Sequence, residues 1–148
     1  MNRALVVVED TDAHRALLRE AGKLAAGTGA DLVLLSLEAR DEVDESTEQF
    51  ARTEGVSVVE MIIEDARESI AAVAGEALSD LDVAYETMAA VTEPDERADE
   101  IIATAGQTDC DHVFLVGQER SPTGKAIFGD VAQAVVLNFG GSVTTLTA

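Results

Sequence analysis

Residues 3–9 read Arg-Ala-Leu-Val-Val-Val-Glu, a continuous run rich in β-branched side chains. A run of this kind indicates a strand buried on both faces, because strands with one solvated face alternate apolar and polar residues. Four later segments are predicted to be further strands: 31–37, 82–90, 112–116 and 142–147. The chain therefore carries five candidate strands, beginning with one that needs cover on both sides.

Helical patterns alternate with these strands. The first predicted helix follows Thr11 or Asp12, either of which can cap it. It carries one apolar stripe at helical spacing, made of Leu17, Leu18, Ala21, Leu24 and Ala25. Later helices are predicted at about 61–79, 95–107 and 130–138, the last with Val131, Val135 and Val136 facing inward.

The pattern of two segments allows more than one secondary structure. Residues 56–63 could pass for a strand, although helical spacing from residue 61 onward favours a helix. Within 38–55, six acids between Glu38 and Glu48 indicate a solvated loop or helix face. The alternation of strand and helix is nevertheless typical of a parallel sheet covered by helices on both faces. We therefore expect an α/β fold in a single domain spanning 1–148.

The composition argues against several classes of function. Asp and Glu number 29 against 10 Lys and Arg, which gives a formal net charge of −19. Nucleic acid is an improbable partner, because binding it needs a basic face. Aromatic residues make up only 3% of the chain, too few for a base-stacking platform. The single cysteine, Cys110, excludes a disulfide framework and a cysteine-rich metal site.

The acidic composition also indicates the salt concentration in which the protein works. Only Lys23 and Lys125 are lysines, and the acids are spread along the chain over an ordinary aliphatic core. This pattern fits a protein working in high salt, where ions screen self-repulsion; a moderately acidic protein in ordinary salt is the alternative. No apolar run reaches the roughly 18–20 residues of a membrane span. The first strand is not followed by a signal-peptide cleavage site, so a cytoplasmic location is expected.

The segment with the clearest binding chemistry is 117–130, which reads Gly-Gln-Glu-Arg-Ser-Pro-Thr-Gly-Lys-Ala-Ile-Phe-Gly-Asp. It leads from the fourth strand into the last helix, whose N-terminus aims free N–H groups back into the segment. Its candidate phosphate contacts are three glycines, two hydroxyls and two cations: Gly117, Gly124, Gly129, Ser121, Thr123, Arg120 and Lys125. The pattern indicates a phosphate cradle, with a flexible surface loop as the alternative.

With these residues the chain resembles the universal stress protein A family, in the compact acidic form found in salt-loving archaea. The family's loop reads glycine, two residues, glycine, nine residues, glycine and then Ser or Thr. Gly117 and Gly129 match the first and third glycines, whereas Arg120 stands at the second and Asp130 at the Ser or Thr position. One residue fewer precedes Gly129. The resemblance is strongest at 3–37 and 110–147 and weak at 38–80.

The resemblance implies a Rossmann-like fold of the adenine nucleotide alpha hydrolase type, with five strands in the order 3-2-1-4-5. It implies that the segment 117–130 holds the phosphates of ATP and that Glu9, after the first strand, holds the ribose. It also implies a homodimer formed through the last strand. Thr11 is expected to cap the first helix or to touch the ligand. The expected function is that of a stress-response protein that binds ATP without efficient catalysis.

Asp130 keeps a second interpretation open. As an N-cap residue, its carboxylate would itself satisfy the free N–H groups at the helix start and take the place of a phosphate. The chain would then act without ATP, as a dimer with protein partners. Alternatively, Arg120 and Lys125 compensate this charge, or Mg²⁺ bridges Asp130 to a phosphate.

Two further hypotheses concern catalysis and signalling. A phosphotransferase or hydrolase is one, although the segment lacks the Walker A pattern, since Ala126 follows the lysine where Ser or Thr is needed. The acidic pair Glu9-Asp10 also resembles that of a response-regulator receiver domain, but residues 31–37 do not end in the phosphoacceptor aspartate of that class.

The remaining polar and sulfur-containing candidates are expected to be structural. His14 is predicted to lie on the surface of the first helix. Cys110 and His112 flank the start of the fourth strand, at the end opposite the expected site. Met61 and Met88 are predicted to contribute packing. Neither Cys110 nor His112 has a metal-ligand partner at a recognisable spacing, so no metal site is predicted.

Overall fold

Helices and strands alternate along the computed structural model, which describes residues 1–39, 45–55, 57–120 and 126–147. The side chains of 45–47, 118–120 and 126–128 are not included in that description. The strands are β1 (Arg3–Val7), β2 (Asp31–Glu38), β3 (Tyr85–Val91), β4 (His112–Val116), β5 (Gln118–Arg120), β6 (Ala126–Phe128) and β7 (Ser142–Leu146). The helices are α1 (Asp12–Thr28), α2 (Glu45–Glu54), α3 (Val58–Ala77), α4 (Arg97–Gln107) and α5 (Asp130–Asn138), with a 3₁₀ turn at Pro94–Glu96 before α4.

Five of the strands form one parallel sheet in the order β3-β2-β1-β4-β7. Counted along the chain without β5 and β6, this is the expected order 3-2-1-4-5. The segment 118–128, expected to be a loop, contains instead a two-stranded antiparallel hairpin of β5 and β6. The strand order reverses between β1 and β4, since β2 lies on one side of β1 and β4 on the other.

Two apolar layers cover the sheet, and β1 contributes to both. Ala4, Val6 and Val8 belong to the layer beneath α1 and α3, whereas Leu5 and Val7 belong to the layer beneath α4 and α5. All five side chains are buried. The apolar run at the start of the chain is thus explained by a strand with no solvated face.

The apolar stripes were predicted with the wrong centre in two helices. In α1 the buried face is centred on His14, Ala21 and Ala25. At about 100° per residue, Leu24 lies roughly 80° from that centre, and it is 48% exposed. In α5 the buried residues are Ala132 and Val135, and Val136, predicted to face inward, is 45% exposed. The helix predicted from residue 61 is confirmed as α3, with Ala66, Ile70 and Val73 buried on one face, although it begins at Val58 and excludes a strand over 58–63.

The residues expected to be structural lie away from the carboxyl edge of the sheet, with His112 and Cys110 at its amino edge. His112 stacks on Phe114 at 4.5 Å between ring centroids, and its Nε2 lies 2.7 Å from Thr144 Oγ1. Burial lowers the pKa of His112. Cys110 is buried, and burial raises the pKa of its thiol. Met88 packs against the layer beneath α4 and α5, and Met61 is half-buried on α3.

Among the described helices, none has both the length and the apolar composition needed to cross a membrane.

The turn between α5 and β7 depends on a glycine. A Cβ added to Gly141 would lie 2.5 Å from the backbone oxygen of Asp111, the atom that accepts the 3.1 Å hydrogen bond from Ser142 N. A Cβ at the neighbouring Gly140 meets nothing within 4 Å. Close approach of β7 to the start of β4 therefore requires glycine at 141 only.

We expect Gly141→Ala to lower the free energy of unfolding by about 1–3 kcal/mol, because the added methyl group overpacks against backbone. Gly140→Ala is the matched control and should change it by about 0.5 kcal/mol or less. Denaturant unfolding at fixed KCl measures both. Equal stability of the two variants would contradict the close approach described above.

Candidate functional site

The crevice at the carboxyl edge of the sheet opens where the strand order reverses, between β1 and β4. In open parallel sheets, ligands bind at such reversals because the loops on the two sides run in opposite directions. Two cavities lie here, and they share Glu9 and Arg97. The sequence analysis pointed to this edge, at Glu9 and from Gly117 onward, as the place to look.

The β4 cavity, named for the strand end that it contacts, has a volume of about 370 Å³. Its walls come from the ends of β1 and β4 and from the N-terminal parts of α1, α4 and α5, and polar and apolar groups contribute to them about equally. The apolar members are Val7, Ile101, Leu115, Val116, Val131 and Ala132, and the polar members are Glu9, His14 and Arg97. A hollow in which a few polar groups converge beside apolar side chains is a usual form of a small-molecule site.

The β2 cavity, on the other side of Glu9, has a volume of about 290 Å³. It is lined by the end of β2 and by α3, at Asp10, Ser36, Leu37, Glu38, Ala39, Ser69 and Ile70 in addition to Glu9 and Arg97. The buried hydroxyl of Ser36 donates to Glu38 Oε1 at 2.7 Å. Asp10 pairs with Arg15 on α1, so its carboxylate is already partnered.

The Glu9 carboxylate lies between two nitrogen donors from different helices. Its Oε2 is 3.4 Å from Nε2 of His14, and its Oε1 is 3.7 Å from Nη2 of Arg97. Its side chain is 46% exposed, whereas that of His14 is 10% exposed. Both distances exceed those of formed hydrogen bonds. The two donors therefore attract the carboxylate while leaving its lone pairs open to the crevice.

Thr11 fixes His14 in this position. As the N-cap of α1, its Oγ1 accepts a 3.0 Å hydrogen bond from the backbone N–H of His14. The same Oγ1 lies 2.7 Å from Nδ1 of the ring. With Oγ1 accepting from the backbone, its hydroxyl hydrogen donates to Nδ1, and the proton of the neutral imidazole is assigned to Nε2, which faces Glu9.

The prediction of a surface position for His14 was wrong. The residue is buried because it lies at the centre of the covered face of α1, over the end of β1. Burial lowers the pKa of His14; the Glu9 carboxylate opposes this shift and Arg97 adds to it. The ring is therefore neutral at pH 7. A sequence signal existed, since Thr11 and His14 have the N-cap to N3 spacing of a capping box next to a strand end.

Arg97 is the second site residue that the sequence analysis missed. It is the first residue of α4, where a cation opposes the positive end of the helix dipole. It also stands alone among Asp95, Glu96, Asp99 and Glu100. In the structure it contacts Glu9, which is distant in sequence, so the local pattern did not reveal this partner.

The structure describes only some of the residues predicted to form the phosphate-binding segment. Gly117 follows β4, and its carbonyl accepts a 3.1 Å hydrogen bond from the N–H of Gly129, so the first and last glycines meet at the base of the hairpin. Arg120 ends β5, without a description of its side chain. Ser121, Thr123, Gly124 and Lys125 lie outside the described residues.

The expectation that Asp130 caps the last helix was wrong. The N-cap of α5 is Gly129, and Asp130 is an exposed residue of the first turn. Asp130 is therefore the first residue of the helix, one position after the N-cap. A carboxylate in this turn still places a negative charge beside the opening of the β4 cavity, since the next two residues, Val131 and Ala132, line it.

The arrangement suits a ligand with an apolar part and hydroxyl donors. Glu9 can accept hydrogen bonds, Arg97 can neutralise an anion, and apolar side chains in the walls of both cavities can contact an apolar group. Among the residues that the structure describes, no three His, Cys, Asp or Glu side chains are grouped so as to hold a metal ion.

Comparisons with known proteins agree with this architecture. A universal stress protein from Archaeoglobus fulgidus is 22% identical, with a TM-score of 0.71 and coverage of 99% of this chain and 98% of that one. Another from the same organism, in complex with dAMP, is 16% identical, with a TM-score of 0.62 and coverage of 99% and 98%. A universal stress protein in complex with cAMP is 14% identical, with a TM-score of 0.63 and coverage of 98% and 95%.

At these identities the structural likeness shows the fold alone. No curated protein matches the chain. The sequence model of the universal stress protein family, in contrast, matches residues 1–146. A match over nearly the whole length shows that this protein belongs to the universal stress protein family.

Proposed function

We propose that the chain binds an adenine nucleotide in the crevice between β1 and β4. The observation that carries this proposal is the half-exposed Glu9 carboxylate, which lies between two cavities and has oxygens open to accept the hydrogen bonds of ribose hydroxyls. The two volumes, about 370 and 290 Å³, fall in the range of small-ligand sites when both are occupied by one molecule. Two relatives in the fold bind dAMP and cAMP, which supports the ligand class.

The position of Glu9 sets the orientation of the ligand. With the ribose at Glu9, the base and the phosphates extend to opposite sides. The phosphates extend toward the Gly117–Gly129 junction and the N-terminus of α5, since backbone N–H groups at a helix start favour anions. The base then enters the β2 cavity, where Leu37, Ala39 and Ile70 offer apolar contact.

The segment 117–130 is proposed to hold the phosphates. Arg120 and Lys125 would neutralise them, while Ser121, Thr123 and the backbone at Gly124 and Gly129 would donate hydrogen bonds. ATP is then preferred over AMP, because only ATP reaches the whole segment. We assign no catalytic step to the site, and any hydrolysis is incidental to binding.

We expect Glu9→Gln to weaken AMP binding by about 10- to 100-fold. A neutral amide accepts hydrogen bonds from ribose hydroxyls less strongly, and bonds to a charged group contribute about 1.5–3 kcal/mol. Calorimetric titration of AMP and of ATP with Mg²⁺ at molar KCl measures the effect. ATP should bind more tightly than AMP to the unmodified chain.

Glu86→Gln is the matched control for this measurement. Glu86 lies near the amino edge of the sheet, is 52% exposed and is 3.7 Å from Arg3, as Glu9 is 3.7 Å from Arg97. Loss of charge alone would affect both variants equally. The proposal is wrong if Glu9→Gln binds AMP as tightly as the unmodified chain does, or if Glu86→Gln is equally impaired.

Asp130 favours a second candidate function, in which the dimer acts through protein partners without a nucleotide. An exposed carboxylate in the first turn of α5 repels phosphate at the place where the helix would attract it. Mg²⁺ between Asp130 and a phosphate would reverse this effect. Removal of the Asp130 charge therefore distinguishes the two candidate functions.

We expect Asp130→Asn and Asp130→Ser both to strengthen ATP binding, by about fivefold in the absence of Mg²⁺. Two unit charges about 4 Å apart in water interact by about 1 kcal/mol. The asparagine variant removes only the charge, while the serine variant also supplies a hydroxyl. A gain confined to serine would assign the effect to the hydroxyl. Weaker binding by both variants in Mg²⁺ would identify Asp130 as a bridge.

We also propose that the chain forms a homodimer through β7 and works in the cytoplasm at high salt. The net charge of −19 supports the salt requirement. β7 is an edge strand, and the neighbouring α5 leaves Leu137 72% exposed. Ser142 N–H donates to Asp111 and Leu146 accepts from Gly117 N–H, so the even-numbered residues of β7 bond to β4. The backbone N–H groups of Val143 and Thr145 therefore point to the free edge.

Thr145→Pro removes one of these outward donors without a loss from the sheet, since proline is tolerated in edge strands. We expect it to convert the dimer to a monomer, whereas Thr145→Val keeps the N–H and the dimer. Light scattering after size-exclusion chromatography at molar KCl gives the mass. A dimer in both variants would place the interface elsewhere, and a monomeric unmodified chain would exclude it.

A further inference from the structure

Two residues outside the glycine-rich segment converge on Glu9, and each lies there at a local cost in free energy. His14 comes from the first turn of α1 and Arg97 from the first residue of α4. Each would be better placed elsewhere for stability, because a buried imidazole loses solvation and a cation opposes the dipole at a helix start. Their shared feature is the carboxylate between them.

We propose that His14 and Arg97 are positioning residues that orient Glu9 so that it selects a ribose bearing both hydroxyl groups. The inference rests on the nucleotide binding proposed above. It assigns to this pair the specificity of the site for ribonucleotides over deoxyribonucleotides.

The Glu9 carboxylate keeps acceptor positions for a ligand beside its two nitrogen neighbours. A carboxylate has about four acceptor positions, two on each oxygen. His14 Nε2 lies near Oε2 and Arg97 Nη2 lies near Oε1, so each donor directs one oxygen. Neither distance is that of a formed hydrogen bond, so both oxygens keep acceptor positions for the ligand. Two adjacent hydroxyl groups of one ribose match these two oxygens, with one hydrogen bond to each.

The same two donors restrain the Glu9 side chain before a ligand binds. A glutamate side chain has several rotatable bonds, and fixing it on binding would cost up to about 2 kcal/mol of conformational entropy. Donors that already attract both oxygens reduce this loss. Thr11 makes the arrangement specific, because its hydroxyl directs the protonated Nε2 of the neutral ring toward Glu9.

Two amide substitutions of His14 distinguish its effect on Glu9 from its contribution to packing. Glutamine at position 14 presents an N–H donor at the place of Nε2, toward Glu9. Asparagine presents its amide oxygen at the place of Nδ1, where it can accept from the Thr11 hydroxyl, and it offers no donor at the place of Nε2. Both remove the imidazole, and both are polar amides. The pair therefore distinguishes the contact with Glu9 from the contact with the helix cap.

The experiment measures dissociation constants of AMP, 2′-deoxy-AMP and 3′-deoxy-AMP by calorimetry at molar KCl. For the unmodified chain, we expect each deoxynucleotide to bind at least about tenfold more weakly than AMP, because one hydrogen bond to a charged group is lost. His14→Gln should retain this ratio. His14→Asn should bring it to about threefold or less, mainly through weaker binding of AMP.

Arg97→Gln gives a second, independent readout, which holds even if a substitution at His14 prevents folding. It should lower the same ratio, because Oε1 loses its donor. Arg3→Gln, which removes the cation near Glu86 at the opposite edge, is its control and should leave the ratio unchanged. Far-ultraviolet circular dichroism confirms that each variant is folded.

The inference is overturned if the unmodified chain binds AMP and both deoxynucleotides equally, in which case nucleotide binding itself still stands. It is also overturned if His14→Asn retains the ratio and His14→Gln loses it, because His14 would then act only through Thr11. If the unmodified chain binds none of the three, both this inference and the proposed function fail.

Discussion

Burial of β1 on both faces is the constraint on which the rest of the structure depends. A strand with apolar side chains in both directions must have strands on either side and helices above and below. Val6 and Leu5, adjacent in sequence, belong to different apolar layers. Once β2 and β4 pair with opposite edges of β1, the connections leave in opposite directions and a crevice opens at its carboxyl end. The position of Glu9 follows from this geometry alone.

The polar groups of the crevice are held by the same packing. His14 reaches Glu9 because the covered face of α1 is centred on it, in line with Ala21 and Ala25. Arg97 reaches it because Ile101, one turn further along α4, is buried in the second layer. The apolar contacts thus fix the helix rotations, and the rotations bring two nitrogen donors within 3.4 and 3.7 Å of one carboxylate.

Most of the fold could be predicted from the sequence, because strands and helices of a parallel α/β domain carry strong local patterns. The order of the strands came from the family resemblance, which the sheet confirms. Local pattern did not fix the rotation of α1, since Leu24 and His14 compete for the same face and only the sheet beneath decides between them.

Prediction of the site was correspondingly uneven. Glu9 and Thr11 could be singled out because they follow a strand and precede a helix, and the structure places them at the crevice; their contact with a ligand stays a prediction. Arg97 lies 88 positions further along the chain, and its pairing with Glu9 depends on tertiary structure. The hairpin of β5 and β6 was missed because three-residue strands have too short a pattern to distinguish from a loop.

We propose that one ligand occupies the crevice at the carboxyl edge, between β1 and β4. A map of backbone amide chemical-shift changes, recorded by ¹H–¹⁵N NMR at molar KCl during titration with AMP, tests this directly. We expect the largest changes at Glu9, His14, Arg97 and Ile101, with little change at His112 and Tyr85 on the amino edge. Saturable changes centred on the amino edge, or none at millimolar AMP in a folded protein, would contradict it.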